Sequence, residues 1–133
     1  MRRSVSGLAF LLAVSWLASA VAQTPGTAGG SVVLKPTSDA SGRGISNAAV
    51  LDQSGARVLR VDVAPNGVRN VHTHDKVDFH LFIPISGTVR LEVDGKPLEL
   101  GPWQAQYIKG GTKHGFANTG STTATVMEVF VTK

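Results

Sequence analysis

The sequence predicts an all-β protein, either a sandwich or a closed barrel, and three observations support this. Runs rich in Val, Leu, Ile, Phe and Thr recur along the chain. No segment beyond the N-terminal apolar stretch shows the apolar period of a helix. Turn signals separate the runs at short intervals, at Ser41-Gly42, Ser54-Gly55, Pro65-Asn66-Gly67, Ser86-Gly87, Asp94-Gly95, Gly110-Gly111 and Thr119-Gly120. Many short strands with turns at this spacing are typical of sandwiches and barrels.

The first 22 residues have the layout of a secretory signal peptide. Arg2 and Arg3 supply a positive start, residues 5–17 are mostly apolar, and Ala20-Val21-Ala22 gives a small-x-small cleavage site. The alternative is an uncleaved N-terminal anchor, although the apolar run is short for a membrane span. We therefore expect a signal peptide over 1–22, a flexible lead over 23–31 and one β domain over 32–133. The expected location is the periplasm or the exterior of the cell.

The charge of the expected mature chain is small. The full chain has 13 basic and 9 acidic side chains, and removal of Arg2 and Arg3 leaves a net charge of +2. No cluster of Lys and Arg remains, so nucleic acid is not an expected partner, and no membrane contact is expected after cleavage. The chain has no cysteine, so core packing must stabilise the fold.

Seven candidate strands follow in order, at 57–63, 68–74, 77–85, 88–93, 97–100, 104–108 and 122–131. Asp94-Gly95 between two of them indicates a two-residue type I′ hairpin. Val89, Leu91 and Val93 alternate with polar residues, so one face of that strand should be buried. We expect the aromatic residues of the domain to pack mainly in the core, among them Phe82, Trp103, Tyr107 and Phe116.

The strand at 77–85 carries apolar residues on both faces. Asp78, His80 and Phe82 take one face, and residues 77, 79, 81, 83 and 85 take the other. Such a strand should be covered on both sides. The cover is expected to come from the segment 32–51 or from a second subunit, which makes a homodimer a candidate assembly.

All four histidines lie between Val71 and Gly115, as His72, His74, His80 and His114. Side chains at i and i+2 of a strand share a face, so His72 and His74 can converge on one point. Neutral imidazole is the commonest side-chain metal ligand. A His-x-His pair alone is a weak signal, but the grouping of every histidine in one stretch favours a metal site.

These residues resemble the two motifs of the cupin family. Gly67, His72, Thr73, His74, His80 and Gly87 follow the first motif, and Gly111-Thr112-Lys113-His114 with Asn118 follow the second. The resemblance spans about residues 57–131. It implies a single-domain jelly-roll β-barrel with one divalent metal ion, which would be Fe, Mn, Ni, Zn or Cu. The implied ligands are His72, His74, His80 and His114.

The sequence departs from the family pattern where a glutamate ligand is usual. Counting back from Gly87 by the family's spacing between this glutamate and the turn glycine leads to His80. Counting forward from His74 by the shorter family spacing leads to Asp78 instead. These two residues lie two apart and should share a face, so either could reach the site. His80 is the favoured ligand, with Asp78 as a hydrogen-bond acceptor behind the ligands or as the alternative ligand.

The resemblance implies that a small oxygen-bearing molecule is the ligand or substrate. Because cupins host many reactions, the fold does not determine the chemistry. We expect a metal-dependent enzyme, with a dioxygenase as the first hypothesis. The alternative is a non-enzymatic module that binds metal or a small ligand, which the lack of an evident general acid or base in the sequence favours.

Overall fold

The computed structural model describes residues 33–133, and every described element is a strand. The expected signal peptide and the whole of the expected lead lie outside these residues. The nine strands are β1 Thr37–Ser38, β2 Gly42–Gln53, β3 Ala56–His72, β4 Val77–Ser86, β5 Val89–Val93, β6 Lys96–Leu100, β7 Gln106–Lys109, β8 His114–Asn118 and β9 Ala124–Thr132. Within residues 33–133, no helix is present that could cross a membrane.

The strands form one curled sheet, with seven of them in the order β6-β5-β8-β3-β9-β4-β7, β2 added beside β3, and β1 added beside β2. All pairs are antiparallel. This topology is consistent with the expected jelly roll, in which a sheet encloses its own core. The sequence prediction of an all-β fold is therefore confirmed.

Strand β3 connects the parts of the sheet. Its first half pairs with β9 between Ala56 and Val63, and its last residues pair with β8, where His72 lies opposite His114. The sequence predicted two strands here, separated by a turn at Pro65-Asn66-Gly67. The structure has one strand that bends at this point, where Asn66 has a φ of 58°. A side chain at Gly67 would lie 2.8 Å from the carbonyl oxygen of Ala64, so this bend requires glycine.

Three strands were not predicted, β1, β2 and β8. Strand β2 contains Gly, Ser, Asn and Asp, which are unfavourable in isolated strands, yet it pairs with β3 from Gly42 to Gln53. Strand β8 has five residues and lies between β3 and β5. Strand β2 is stabilised by pairing with β3, the next strand along the chain, and β8 by pairing with two strands that are distant in sequence. In both strands this pairing outweighs the local preference.

The hairpin between β5 and β6 agrees with the prediction. Val93 pairs with Lys96 across two residues, and both Asp94 and Gly95 have positive φ, at 48° and 77°. Positive φ at both central positions defines the type I′ turn. Val89 and Leu91 are buried as expected, and Val93 packs against the core.

The core lies inside the curled sheet and consists of side chains from most strands, Ile45, Leu59, Val61, Val63, Val77, Phe82, Val89, Leu91, Leu100, Ile108, Phe116, Ala124, Val126 and Phe130. Phe82 and Phe116 pack together with ring centroids 4.9 Å apart. The prediction that Trp103 and Tyr107 belong to the core is wrong, because these side chains are 72% and 55% exposed. Trp103 follows β6 in a turn with a φ of 66°, which directs it away from the interior.

The two faces of β4 differ in burial. His80, Phe82 and Pro84 are buried on the inner face, whereas Phe79 and Leu81 on the outer face are half-buried. Strand β2 pairs edgewise with β3, so the structure does not place it as the cover of β4. Within the described part of the chain, this outer face remains partly open.

Candidate metal centre and adjoining cavity

The four histidines meet in the interior of the curled sheet. Cross-strand pairing of β3 with β8 sets His72 opposite His114, and their ring centroids are 4.4 Å apart. The centroid of His74 lies 4.7 Å from that of His72 and 5.2 Å from that of His114. His80 on β4 lies 4.7 Å from His114 and 5.2 Å from His74. Residues from three regions of the sequence therefore form one cluster.

Three of these residues form a compact set of donor atoms. One ring nitrogen each of His72, His74 and His114 lies within 4.8 Å of the other two, so this group could hold a metal ion. The Nε2 atoms of His72 and His74 are 3.1 Å apart. Metal–nitrogen bonds of about 2.0–2.1 Å put neighbouring ligand atoms about 3 Å apart, so this separation fits two ligands of one ion. His80 adjoins the group but lies outside this tightest set.

The hydrogen bonds of two rings define which nitrogen faces the cluster. Nδ1 of His72 donates to the carbonyl oxygen of Asn70 at 2.8 Å, and Nδ1 of His114 donates to that of Thr112 at 2.9 Å. A carbonyl oxygen can only accept, so each Nδ1 carries the proton. In the neutral rings, Nε2 then has a free lone pair for a metal.

Two ring nitrogens in the cluster lack any hydrogen-bond partner. They are Nε2 of His80 and Nε2 of His114, and both residues are only 1% exposed. Buried polar atoms are nearly always paired, and an unpaired one requires an explanation. A bound cation would satisfy both atoms, so the residues present fit a metal ion.

The cluster also favours neutral imidazole. Burial, together with the neighbouring histidines, lowers the pKa of His74 to about 4 and that of His80 to about 3. Burial likewise lowers the pKa of His72 and His114, although their hydrogen bonds to backbone carbonyls oppose the shift. At neutral pH all four rings are therefore uncharged, which is the form that binds metals.

The two candidates for the third ligand position, His80 and Asp78, lie in different places in the structure. Val77 pairs with Thr132 and Phe79 with Val131, so β4 has one extra residue opposite β9. This bulge changes the alternation, because Val77 and His80 are buried whereas Asp78 is exposed. The expectation that Asp78 and His80 share a face is therefore wrong. His80 lies in the cluster, and Asp78 lies on the surface.

A loop between β7 and β8 supports the cluster from outside. The amide of Gly110 donates to the carbonyl of Asp78 at 2.8 Å, and that of Gly111 donates to the carbonyl of His74 at 3.2 Å. A Cβ atom at Gly110 would lie 1.9 Å from the carbonyl oxygen of Val77, so no side chain fits. This close approach attaches the loop before His114 to the segment that carries His74.

A cavity of about 280 Å³ extends from His74 into the interior. Both apolar and charged side chains line it. The lining residues are Asp39, Asn47, Arg57, Leu59, Arg69, His74, Val77, Glu128, Phe130 and Thr132. A smaller void of about 20 Å³ adjoins it and also touches Asp39, Arg69 and Glu128. That volume is enough for about one water molecule. The cluster thus has an adjacent space of the size of a small molecule.

Glu128 also lines the cavity and was not among the residues predicted from sequence for this site. It lies on the inner face of β9, between the buried residues Val126 and Phe130, and is 6% exposed. Burial raises the pKa of its carboxyl group to about 7, although Arg69 opposes the shift. The signal was available, because Glu128 is the only charged residue in the predicted strand at 122–131 and shares a face with apolar residues.

Comparison with known proteins decides the family. The profile described as "Cupin domain" matches residues 59–130, more than half of the chain. The chain belongs to the cupin family. The matched residues include all four histidines of this cupin, together with Glu128.

Solved structures with the same fold are distant in sequence. A predicted oxalate decarboxylase from Thermotoga maritima is 20% identical, with a TM-score of 0.69, over 75% of this cupin and 94% of that chain. The polyketide cyclase RemF from Streptomyces resistomycificus is 21% identical, with a TM-score of 0.65, over 75% of both chains. KdgF from Halomonas sp. is 20% identical, with a TM-score of 0.63, over 68% of this cupin and 82% of that chain. None of the curated proteins matches in sequence. At these identities the likeness shows the fold alone.

Proposed function

We propose that this cupin is a metal-dependent enzyme that binds one divalent ion through His72, His74, His80 and His114. The unpaired Nε2 atoms of His80 and His114 are the observation that carries the proposal. Its substrate is a small oxygen-bearing molecule in the cavity beside His74. Two similar structures are described as enzymes, a polyketide cyclase and a predicted oxalate decarboxylase, which supports a catalytic role.

A divalent ion held by these neutral imidazoles would supply Lewis acidity toward the oxygen atoms of a ligand. The remaining roles belong to the protein. Phe130 packs against His74 and His80 at centroid distances of 5.0 and 4.9 Å and excludes water from that side. The backbone carbonyls of Asn70 and Thr112 hold His72 and His114 in orientation. Glu128 can hold or release a proton at the cavity wall.

The metal is tested first, by elemental analysis of purified protein. We expect about one equivalent of Fe, Mn, Ni, Zn or Cu in the parent and a large loss in His72→Ala and His114→Ala. His80→Ala should also lose metal, whereas Asp78→Ala, on the surface, should retain it. Loss with Asp78→Ala and retention with His80→Ala would reverse the assignment at this position. A parent without metal would contradict the proposal.

The reaction is tested next, with the metal-loaded protein. The first hypothesis is a dioxygenase, so oxygen uptake and product formation are measured with enediols and diketones. Turnover that disappears in His114→Ala, with the fold retained by circular dichroism, would support an enzyme. Bound metal without turnover on any substrate of this class would favour the alternative, a module that binds metal or a small ligand.

We also propose that the protein is exported. The layout of residues 1–22 supports this proposal. Fractionation of cells that express the full chain should place the protein in the periplasm or the medium, and N-terminal sequencing should begin at Gln23. A cytoplasmic protein that still begins at Met1 would contradict it.

A further inference from the structure

Glu128 is a buried carboxyl group that faces a cavity and lacks a partner. Its Oε1 atom is buried without a hydrogen bond, and the residue lines both the larger cavity and the adjoining void. An unpaired buried acceptor lowers the stability of the fold. An apolar residue would fill a purely structural position on β9 at lower cost. The side chain is therefore positioned to meet something that enters the cavity.

Asp39 and Arg69 form a fixed pair in the same wall. Their closest atoms are 2.7 Å apart, and Asn47 donates to the same carboxylate oxygen at 2.7 Å. Burial would raise the pKa of Asp39, but hydrogen bonds from Ser41 and the charge of Arg69 lower it to about 2. Asp39 is thus ionised at neutral pH, and one positive and one negative charge in the wall offset each other.

Arg57 is the remaining charge in the lining. It contacts Asp52 at 3.4 Å, but both side chains are about half exposed, and such surface pairs are weak. Asp52 does not line the cavity. Below about pH 7 the Glu128 carboxyl group is mostly uncharged, and Asp39 is paired with Arg69, so the protein wall then carries one net positive charge. A ligand of complementary charge is a monoanion.

We propose that this cavity binds a small monocarboxylate that carries a second oxygen, a 2-oxo, 3-oxo or hydroxy acid. Arg57 and Arg69 attract the carboxylate, and the Glu128 carboxyl group hydrogen-bonds the second oxygen. This inference rests on the proposed function, because it names the substrate class of the same site. The cavity, at about 280 Å³, is near the small end of ligand pockets, which start at about 300 Å³.

The test is calorimetric titration of the purified full-length protein with pyruvate, acetoacetate and glycolate. Each acid is compared with its amide, which is nearly isosteric but uncharged. Hydrogen bonds to charged groups contribute about 1.5–3 kcal/mol, so we expect each acid that binds to be about tenfold tighter than its amide or more. Equal affinity of acid and amide would overturn the charge argument, and no binding of any acid at millimolar concentration would overturn the proposal.

Variants of the wall locate the binding. Arg57→Gln should weaken acid binding about fivefold, as expected for a partly exposed charge. Arg69→Gln should weaken acid binding by about tenfold or more. It removes one positive charge and leaves the negative charge of Asp39 without its partner in the cavity wall. Arg60→Gln is the matched control, since Arg60 lies on the same strand and pairs with Asp62 at 3.0 Å outside this cavity. If Arg57→Gln and Arg69→Gln bind the acids as tightly as Arg60→Gln does, the acids bind elsewhere on the protein.

Glu128 is tested by two replacements. Glu128→Gln keeps a hydrogen-bond donor of similar shape and should bind the acids within about threefold of the parent. Glu128→Leu removes the polar group and should bind the acids about tenfold more weakly, which corresponds to the loss of one hydrogen bond. If Glu128→Leu and Glu128→Gln bind the acids equally, Glu128 does not contact the bound acid. If Glu128→Leu does not fold, Glu128→Met provides the same comparison.

Metal content is measured on every sample, so the two proposals can fail separately. Acid binding that depends on Arg57 and Arg69 in a protein without metal would support this inference and contradict the metal enzyme. A metal-loaded protein that binds acids and amides equally would contradict this inference and leave the metal centre in place.

Discussion

The carboxyl group of Glu128 lies in the interior with a pKa raised to about 7 by burial. In the unfolded chain its pKa returns to the ordinary value of 4.5. Between these two values the unfolded state releases the proton that the folded state retains. This residue therefore lowers the stability of the fold as the pH rises from 4.5 to 7, and the loss is complete above 7.

Glu128→Gln should accordingly stabilise the metal-free protein at pH 8. The expected gain in the free energy of unfolding is up to about 3 kcal/mol, because one pKa unit corresponds to about 1.4 kcal/mol. Near pH 4 the gain should vanish, since the parent side chain is then also uncharged in both states. Urea unfolding at several pH values measures the difference. A gain that is the same at pH 4 and pH 8 would mean that Glu128 does not titrate in this way.

The histidines have the opposite pH dependence. His80 has a folded pKa of about 3 against 6.5 in the unfolded chain, so the unfolded state takes up a proton first as the pH falls. In the metal-free protein this residue lowers stability below pH 6.5, by about 2 kcal/mol at pH 5. His80→Gln should reduce the slope of stability against pH between 6.5 and 5. An unchanged slope, measured by urea unfolding, would mean that His80 is not buried in its neutral form.

At the scale of the elements, the loop between β7 and β8 positions two segments of the histidine cluster, the one at His74 and the one at His114. It contacts the backbone of β4 through Gly110 and that of His74 through Gly111. Strand β8 begins at His114, so displacement of the loop would also displace this histidine. The geometry of the histidine cluster therefore depends on strand registers as well as on the four rings.

Gly110→Ala should destabilise the protein by about 2 kcal/mol or more, in the range of steric clashes in the interior. The added methyl group would lie 1.9 Å from the carbonyl oxygen of Val77, so backbone must move. We also expect weaker metal binding, measured by competition with a chelator. Gly101→Ala is the control, because its nearest atom is Oε1 of the Gln104 side chain at 3.4 Å. Equal effects of the two substitutions would contradict the role given to Gly110.

At the scale of the whole molecule, one face of the sheet remains partly open. Leu81 pairs with Val129, and Ile83 pairs with Met127, on the outer faces of β4 and β9, and all four side chains are only half-buried. Contiguous exposed apolar surface is typical of interaction sites. We propose that a second copy of the chain covers this face.

Light scattering after size exclusion should therefore give twice the mass of the chain. Leu81→Lys should shift the protein to the monomer, because a charge cannot be buried unpaired at an interface. Lys96→Glu, on the edge strand β6, is the control and should remain dimeric. A monomeric parent at micromolar concentration would contradict the dimer.

Much of this molecule could be predicted from sequence. Apolar alternation and turn residues identified the all-β class, the hairpin at Asp94-Gly95 and five of the nine strands, because these signals are local. The grouping of the histidines, with the resemblance to cupin motifs, identified the residues that form the cluster. Strands β1, β2 and β8 escaped prediction because their pairing partners, not their own residues, stabilise them.

Only the tertiary structure placed His80 in the cluster and Asp78 on the surface, and only it revealed the cavity. A bulge in β4 depends on how β4 and β9 align, and one extra residue moves Asp78 to the surface. Glu128 stood in the sequence as a charged residue in an apolar strand. Its closeness to Arg57, Arg69 and His74 arises from the curling of the sheet. Local patterns determine which residues can form strands and bind metal, whereas long-range pairing determines which of them meet.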